Sequence, residues 1–189
     1  MTHTHHVCPW WLGHLLVNPL RRLLEPPERL LGPFVRPGMT IVEPGCGMGY
    51  FSLPLARMVG AKGRVICADL QEKMIAGLRR RASRAGLAGR IVDRVSSEHD
   101  LGFAPFAGSA DLAVAIHVIH EVPDQRRFLE QMRDVLRPGG QFLVVEPRGH
   151  VSPEAFEKTL AAAGTAGFER TDQEPRARGL AAVLRKPGA

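Results

Sequence analysis

The sequence predicts a single α/β domain, with a mostly parallel sheet and helices on both faces. Three observations predict it. Apolar runs of strand length alternate with longer helical stretches along most of the 189 residues, the pattern of strands joined by crossover helices. The length suits one hydrophobic core. Glycines and acids cluster just after the strand candidates, where such sheets bind ligands, near the point at which strand order reverses.

Residues 1–9 read as an arm, and Trp10–Leu31 as an apolar helical stretch broken at Asn18-Pro19 and Pro26-Pro27. Residues 1–32 are therefore set apart as an arm and helical lid, and 33–189 as the ligand-binding domain. Met39–Glu43 is a short buried strand ended by Pro44-Gly45. Tyr50–Val59 is a helix despite Pro54, Arg64–Asp69 the second strand, and Gln71–Ala85 a helix closed by Gly86. Arg90–Val95 and Asp111–His117 are the third and fourth strands. Asp124 caps a helix to Leu136, and Arg137-Pro138-Gly139-Gly140 reads as a sharp stop. Gln141–Glu146 is the fifth strand. Ser152 and Pro153 open a helix to Ala163, and Phe168–Thr171 and Leu180–Arg185 complete the strands.

Composition narrows the function classes. No apolar run is long enough to span a membrane, and residues 1–6 lack the features of a signal peptide. Cys8, Cys46 and Cys67 form no disulfide framework. The expected location is cytoplasmic. The net charge of +6 raises nucleic acid as a partner. Its densest cluster, Arg79, Arg80, Arg81 and Arg84, reads instead as a solvated helix face without interleaved aromatics, so nucleic acid is disfavoured.

The strand ends carry the chemistry. After the first strand, Glu43-Pro44-Gly45-Cys46-Gly47-Met48-Gly49 alternates three glycines, which turn the backbone tightly and let a ligand approach it. The third glycine comes one residue early for a dinucleotide fingerprint, and Tyr50 stands where that fingerprint has glycine. Glu43 adds negative charge that repels a phosphate and suits a cation. Asp69 ends the second strand and can accept from both ribose hydroxyls, or cap the next helix. After the third strand, Ser97 or Glu98 could meet an adenine amine and Leu101 cover its ring. After the fourth, His117, His120 and Glu121 are candidates for acid–base work.

These residues resemble the motifs of class I S-adenosylmethionine-dependent methyltransferases. Val42–Gly49 resembles the glycine motif and Asp69 the ribose-binding acid. Asp111-Leu112-Ala113-Val114 with His120–Asp124 resembles the fourth-strand segment, and Leu136–Gly140 the entry to the fifth. The resemblance covers residues 33–186 and is nearest to quinone C-methyltransferases and related small-molecule enzymes. It implies a seven-stranded Rossmann-like sheet whose last strand is antiparallel, with S-adenosylmethionine as cofactor. Glu43, Gly45, Gly47 and Gly49 would hold its methionine part, Asp69 and Leu70 its ribose side, Ser97 or Glu98 its adenine, and the His117 backbone its ammonium end. The family often has Asp where Ser97 stands.

A small-molecule acceptor is expected, with His120 and Glu121 as the catalytic candidates. Cys8-Pro9-Trp10-Trp11-Leu12 could cover the site and Glu146–His150 line its other wall. A metal cluster of His6, Cys8, His117 and His120 is a weaker expectation, because no ligand pair has a recognised spacing. RNA or protein methylation and non-catalytic cofactor binding are the alternatives.

Overall fold

The structure is a computed structural model that describes residues 25–188. Five parallel strands carry the ligand-binding edge: β1 (Thr40–Pro44), β2 (Arg64–Asp69), β3 (Ile91–Val95), β4 (Ala110–Ile116) and β5 (Leu136–Glu146). β6 (Glu169–Arg170) and β7 (Leu180–Arg185) follow. The sheet is seven-stranded in the order β3-β2-β1-β4-β5-β7-β6, with β7 antiparallel to β5. Sheet and direction agree with what the resemblance implies. Strand order reverses between β1 and β4, so a crevice opens at their carboxyl ends.

The central strands are apolar on both faces, as strands covered from two sides must be. On one side Ile41, Val65, Val114 and Leu143 pack against α1 (Pro27–Leu31), α2 (Ser52–Met58) and α3 (Glu72–Arg84). On the other, Val42, Ile66, Ala113 and Phe142 pack against α4 (Gln125–Val135) and α5 (Pro153–Thr165). Each helix buries one stripe. In α4 it is Phe128, Leu129, Met132 and Val135. Asp124 and Ser152 cap α4 and α5 through the amides of Arg127 and Ala155.

The break expected at Pro26-Pro27 is where α1 starts, Pro27 taking the first helical position, where no N–H is needed. Two local expectations are corrected. Arg137–Gly140 does follow the end of α4 at Val135, but it is no loop before the fifth strand. β5 runs through it from Leu136, with an irregular register opposite Ala110 and Leu112 that takes up the extra residues. The arginine cluster is not uniformly solvated. Arg79, Arg80 and Arg84 are exposed, but Arg81 turns inward and donates to the Met48 carbonyl at 2.5 Å.

Candidate active site

The crevice holds a cavity of about 410 Å³, within the range of small-ligand sites. It runs from the glycine loop and the end of β2 to the turn after β4 and the loop after β5. Glu43, Gly45, Gly47, Asp69, Leu70, Ser97, Glu98, His117, His120 and Glu121 all line it. Residues 1–24, with the His6 and Cys8 of the metal expectation and the Trp10-Trp11 lid, lie outside the described residues. Among the described residues no cluster of three or more His, Cys, Asp or Glu could hold a metal ion.

The glycine loop has three left-handed residues with different duties. A Cβ on Gly45 would sit 2.4 Å from Val118 Cγ2, so this glycine lets the β1 and β4 loops meet. Gly47, at φ 53°, would put a Cβ into open space beside the cavity, a place left for a ligand against the backbone. Gly49 does not line the cavity. Its Cβ would strike Leu78 and Leu53 at 2.5 and 2.6 Å, so it serves helix packing.

Asp69 holds this loop in place. One carboxylate oxygen accepts from Gly47 N and the other from Gln71 N, both at 2.9 Å. Each oxygen keeps a further lone pair for a ligand hydroxyl. Burial raises the Asp69 pKa and the two amides oppose that. Beside it Leu70 is 39% exposed, an apolar surface held open at the cavity wall. The loop after β3 forms the opposite side. Ser97 Oγ accepts from Asp100 N at 3.0 Å, while Arg127 and Gln131 of α4 donate to the His99 carbonyl. The Ser97 hydroxyl thus shapes the loop, and Glu98 and Leu101 also border the cavity.

Glu43 differs from the expectation of a standing negative charge. It is buried under α2, accepts from Ser52 Oγ at 2.5 Å, and is pushed up to about 8 by desolvation. At neutral pH its carboxyl keeps its proton until a cation comes beside it.

The turn after β4 is strained and anchored. His117 has φ 59°, the one positive value at a non-glycine among the described residues, a conformation that persists only when its surroundings impose it. Its amide donates to the Val145 carbonyl at 2.8 Å. Its Nε2 lies 3.7 Å from Glu25, and the Tyr50 hydroxyl donates to the Glu25 carbonyl at 2.8 Å. The chain entering from the N-terminal side is therefore tied to the site. His120 Nδ1 makes a close contact with Glu146 Oε2, whose partner oxygen accepts from Ile119 N at 2.8 Å. The Glu146 hydrogen bond raises the His120 pKa. Desolvation raises that of Glu121, 4.0 Å from Nε2.

Carboxylates crowd this cavity even with Glu43 left out: Asp69, Glu98, Asp100, Glu121 and Asp124 line it, against Arg127 as the arginine. A chain of net charge +6 thus presents an acidic pocket, suited to a cationic ligand.

Comparisons with known proteins give the family and the fold. A family described as methyltransferase domain matches residues 36–176. The chain belongs to the methyltransferase-domain family. S-adenosylmethionine is the cofactor of this fold family. The ubiquinone/menaquinone biosynthesis C-methyltransferase of Cellvibrio japonicus is 32% identical over 127 residues, 65% of this chain and 50% of that protein. Its counterpart in Hydrogenovibrio crunogenus is 30% identical over 112 residues, 59% and 43% of the two chains. The chain spans about half the length of these curated relatives. A SAM-dependent methyltransferase of Aquifex aeolicus superposes with TM-score 0.82 at 23% identity, covering 95% of this chain and 98% of that one. A TehB-like SAM-dependent methyltransferase of Corynebacterium glutamicum gives 0.70 at 19% identity, covering 92% and 97%. These two show the shared fold.

The described residues fit S-adenosylmethionine. Gly47 leaves space against the backbone, Asp69 offers acceptors at the end of β2, Leu70 offers an apolar face, and the lining is acidic. Sequence reasoning missed two supports. Arg81 looked like one more surface arginine. Glu146, named only as part of a wall, could have been found by the rule that picked Glu43 and Asp69: an acid at the carboxyl end of a strand.

Proposed function

We propose that this chain transfers a methyl group from S-adenosylmethionine to a small, neutral, ring-containing acceptor of the phenol or quinol class. One observation carries the reading: a single cavity joins the open face of Gly47 and Asp69 to His120 and Glu121. When bound, S-adenosylmethionine supplies an electrophilic methyl group on a sulfonium sulfur. Glu43, Gly45, Gly47 and His117 hold its methionine end, Asp69 and Leu70 its ribose side, and the loop at Ser97 and Glu98 its adenine. Gly49 supports them from behind, packed on Leu53 and Leu78.

His120 and Glu121 stand at the acceptor end as the acid–base pair. The walls exclude water and align the acceptor, which is most of what an in-line transfer asks of a protein. The quinone C-methyltransferases among the relatives support the acceptor class. The acidic lining disfavours a polyanion, so RNA as acceptor finds no support in the cavity. No helix among the described residues is long and apolar enough to cross a membrane. Among the described residues Cys46 and Cys67 are buried free thiols, which fits a cytoplasmic setting. Glu25 is tied to Tyr50 and His117 at the site, while Leu30 and Leu31 of α1 are core residues and no part of a lid.

The test is incubation with methyl-labelled S-adenosylmethionine and a panel of catechol, 1,4-dihydroxynaphthalene, a thiol and an aromatic amine. Label in a phenolic product with matching S-adenosylhomocysteine supports the reading. Tight cofactor binding with no product across such panels would favour a non-catalytic binding module.

A further inference from the structure

The His120 ring stands between two carboxylates in unlike surroundings. Glu146 is 2% exposed, against Nδ1, and its other oxygen is engaged by the Ile119 amide. Glu121 is half-buried and lies on the Nε2 side. Glu146 borders a second hollow of about 350 Å³ and not the main cavity, whereas His120 and His150 line both. The ring is thus part of the wall between them. A carboxylate accepts and does not donate, so Glu146 holds the neutral imidazole as the Nδ1–H tautomer. The Nε2 lone pair is left on the side of the main cavity.

The charge of that cavity selects what such a base would serve. An acceptor arriving as an anion meets Glu98, Asp100, Glu121 and Asp124 and is repelled. A neutral acceptor enters without that cost and must lose its proton inside. A neutral amine needs no base before it attacks.

We propose that His120, polarised by Glu146, takes the proton from a neutral hydroxyl, enol or carbon acid in the main cavity, with Glu146 as the positioning residue. This rests on the methyl-transfer reading above. The acceptor's X–H proton passes to Nε2. The pair left on X forms the X–CH3 bond as the methyl–sulfur bond breaks, and that bond's electrons stay on sulfur. The sulfonium charge disappears, and the imidazolium, held between Glu146 and Glu121, later gives its proton to water. One proton is released for each methyl transferred.

Four titratable groups face His120: Glu121 from its own turn, Glu146 from the end of β5, His150 with ring centroids 5.9 Å apart, and Lys158 of α5 across the second hollow. The Glu146 hydrogen bond is the largest influence and works upward against burial. Turnover therefore rises with pH through a His120 pKa that lies above the ordinary histidine value.

The experiment is an imidazole-nitrogen NMR titration of the ¹⁵N-labelled full chain, with His120 assigned by His120→Gln. The wild type should show the Nδ1–H tautomer. Glu146→Gln, whose amide donates to Nδ1, should switch it to Nε2–H and move the titration down by about 1–3 pH units. With 1,4-dihydroxynaphthalene as acceptor, Glu146→Gln should lower kcat by about 10²-fold with KM for S-adenosylmethionine unchanged. Glu146→Asp should restore part of it. An Nε2–H tautomer in the wild type, or a Glu146→Gln titration identical to wild type, overturns the proposal, as does transfer to aniline but not to the dihydroxynaphthalene. A parallel calorimetric titration separates the readings. If neither protein binds S-adenosylmethionine, the methyl-transfer reading fails, while the NMR result still decides the tautomer.

Discussion

Glu43→Gln isolates the cost of keeping an acid under the cofactor loop. Burial raises the Glu43 pKa from 4.5 to about 8, so the unfolded chain ionises in a range where the folded chain keeps its proton. The folded pKa is the higher one and arises from desolvation. Stability is therefore greatest below 4.5, falls as pH rises through the window to about 8, and is flat above it. At about 1.4 kcal/mol per pH unit, the loss across the window reaches about 5 kcal/mol, and about 3 kcal/mol by about pH 7. Glutamine keeps the shape and still accepts from Ser52, but it does not titrate. Urea unfolding of Glu43→Gln should give a free energy about 3 kcal/mol above wild type at about pH 7, and the difference should vanish at about pH 4. The same variant should bind S-adenosylmethionine more weakly, because it has no carboxylate to offer the cation. Wild-type binding at about pH 7 should release a proton, read as a dependence of calorimetric heat on buffer ionisation enthalpy. A Glu43→Gln protein destabilised equally at every pH would refute the reasoning.

Asp69→Ala should weaken S-adenosylmethionine binding by about 1–3 kcal/mol, the scale of a lost charge-assisted hydrogen bond. Asp69→Asn should fall between, and unchanged calorimetric affinity would remove Asp69 from the site. Gly47→Ala and Gly49→Ala should separate binding from packing. The first pays about 1–2 kcal/mol for its left-handed backbone and places a methyl where the ligand should lie, so its main loss is in affinity. The second forces a methyl into Leu78 and Leu53, so its main loss is in thermal stability. Deleting residues 1–9 should impair acceptor turnover and leave cofactor affinity intact, and full turnover would remove the arm from the site.

Much of the fold was legible because hydrophobic period and turn chemistry are local. The strands β1 to β5 and the caps Asp124 and Ser152 needed only neighbours in sequence. The cavity wall was legible for a related reason: in an open parallel sheet the crevice lies at strand ends, so Glu43, Gly45, Gly47 and Asp69 could be placed along it in order. What stayed hidden depends on distant partners. That Gly49 packs on Leu78 rather than facing the cavity is set by α3. That Arg81 reaches Met48 while Arg79 and Arg80 face solvent is set by the helix phase against the glycine loop. The Glu146–His120 pair joins residues 26 apart in sequence. Arg137–Gly140 ends α4 as its Pro and Gly suggested, but its place in β5 stayed hidden because it depends on Lys186, which exchanges backbone hydrogen bonds with Gly139 and Gly140. The charge of Glu43 was misread because a sequence gives identity without burial.

The central claim is that this cavity binds S-adenosylmethionine, and calorimetric titration with S-adenosylmethionine, S-adenosylhomocysteine and NAD tests it most directly. Saturable binding of both adenosyl compounds to one site, weakened together in Asp69→Ala, is expected, and none of NAD. Binding of NAD, or of neither adenosyl compound, would contradict it.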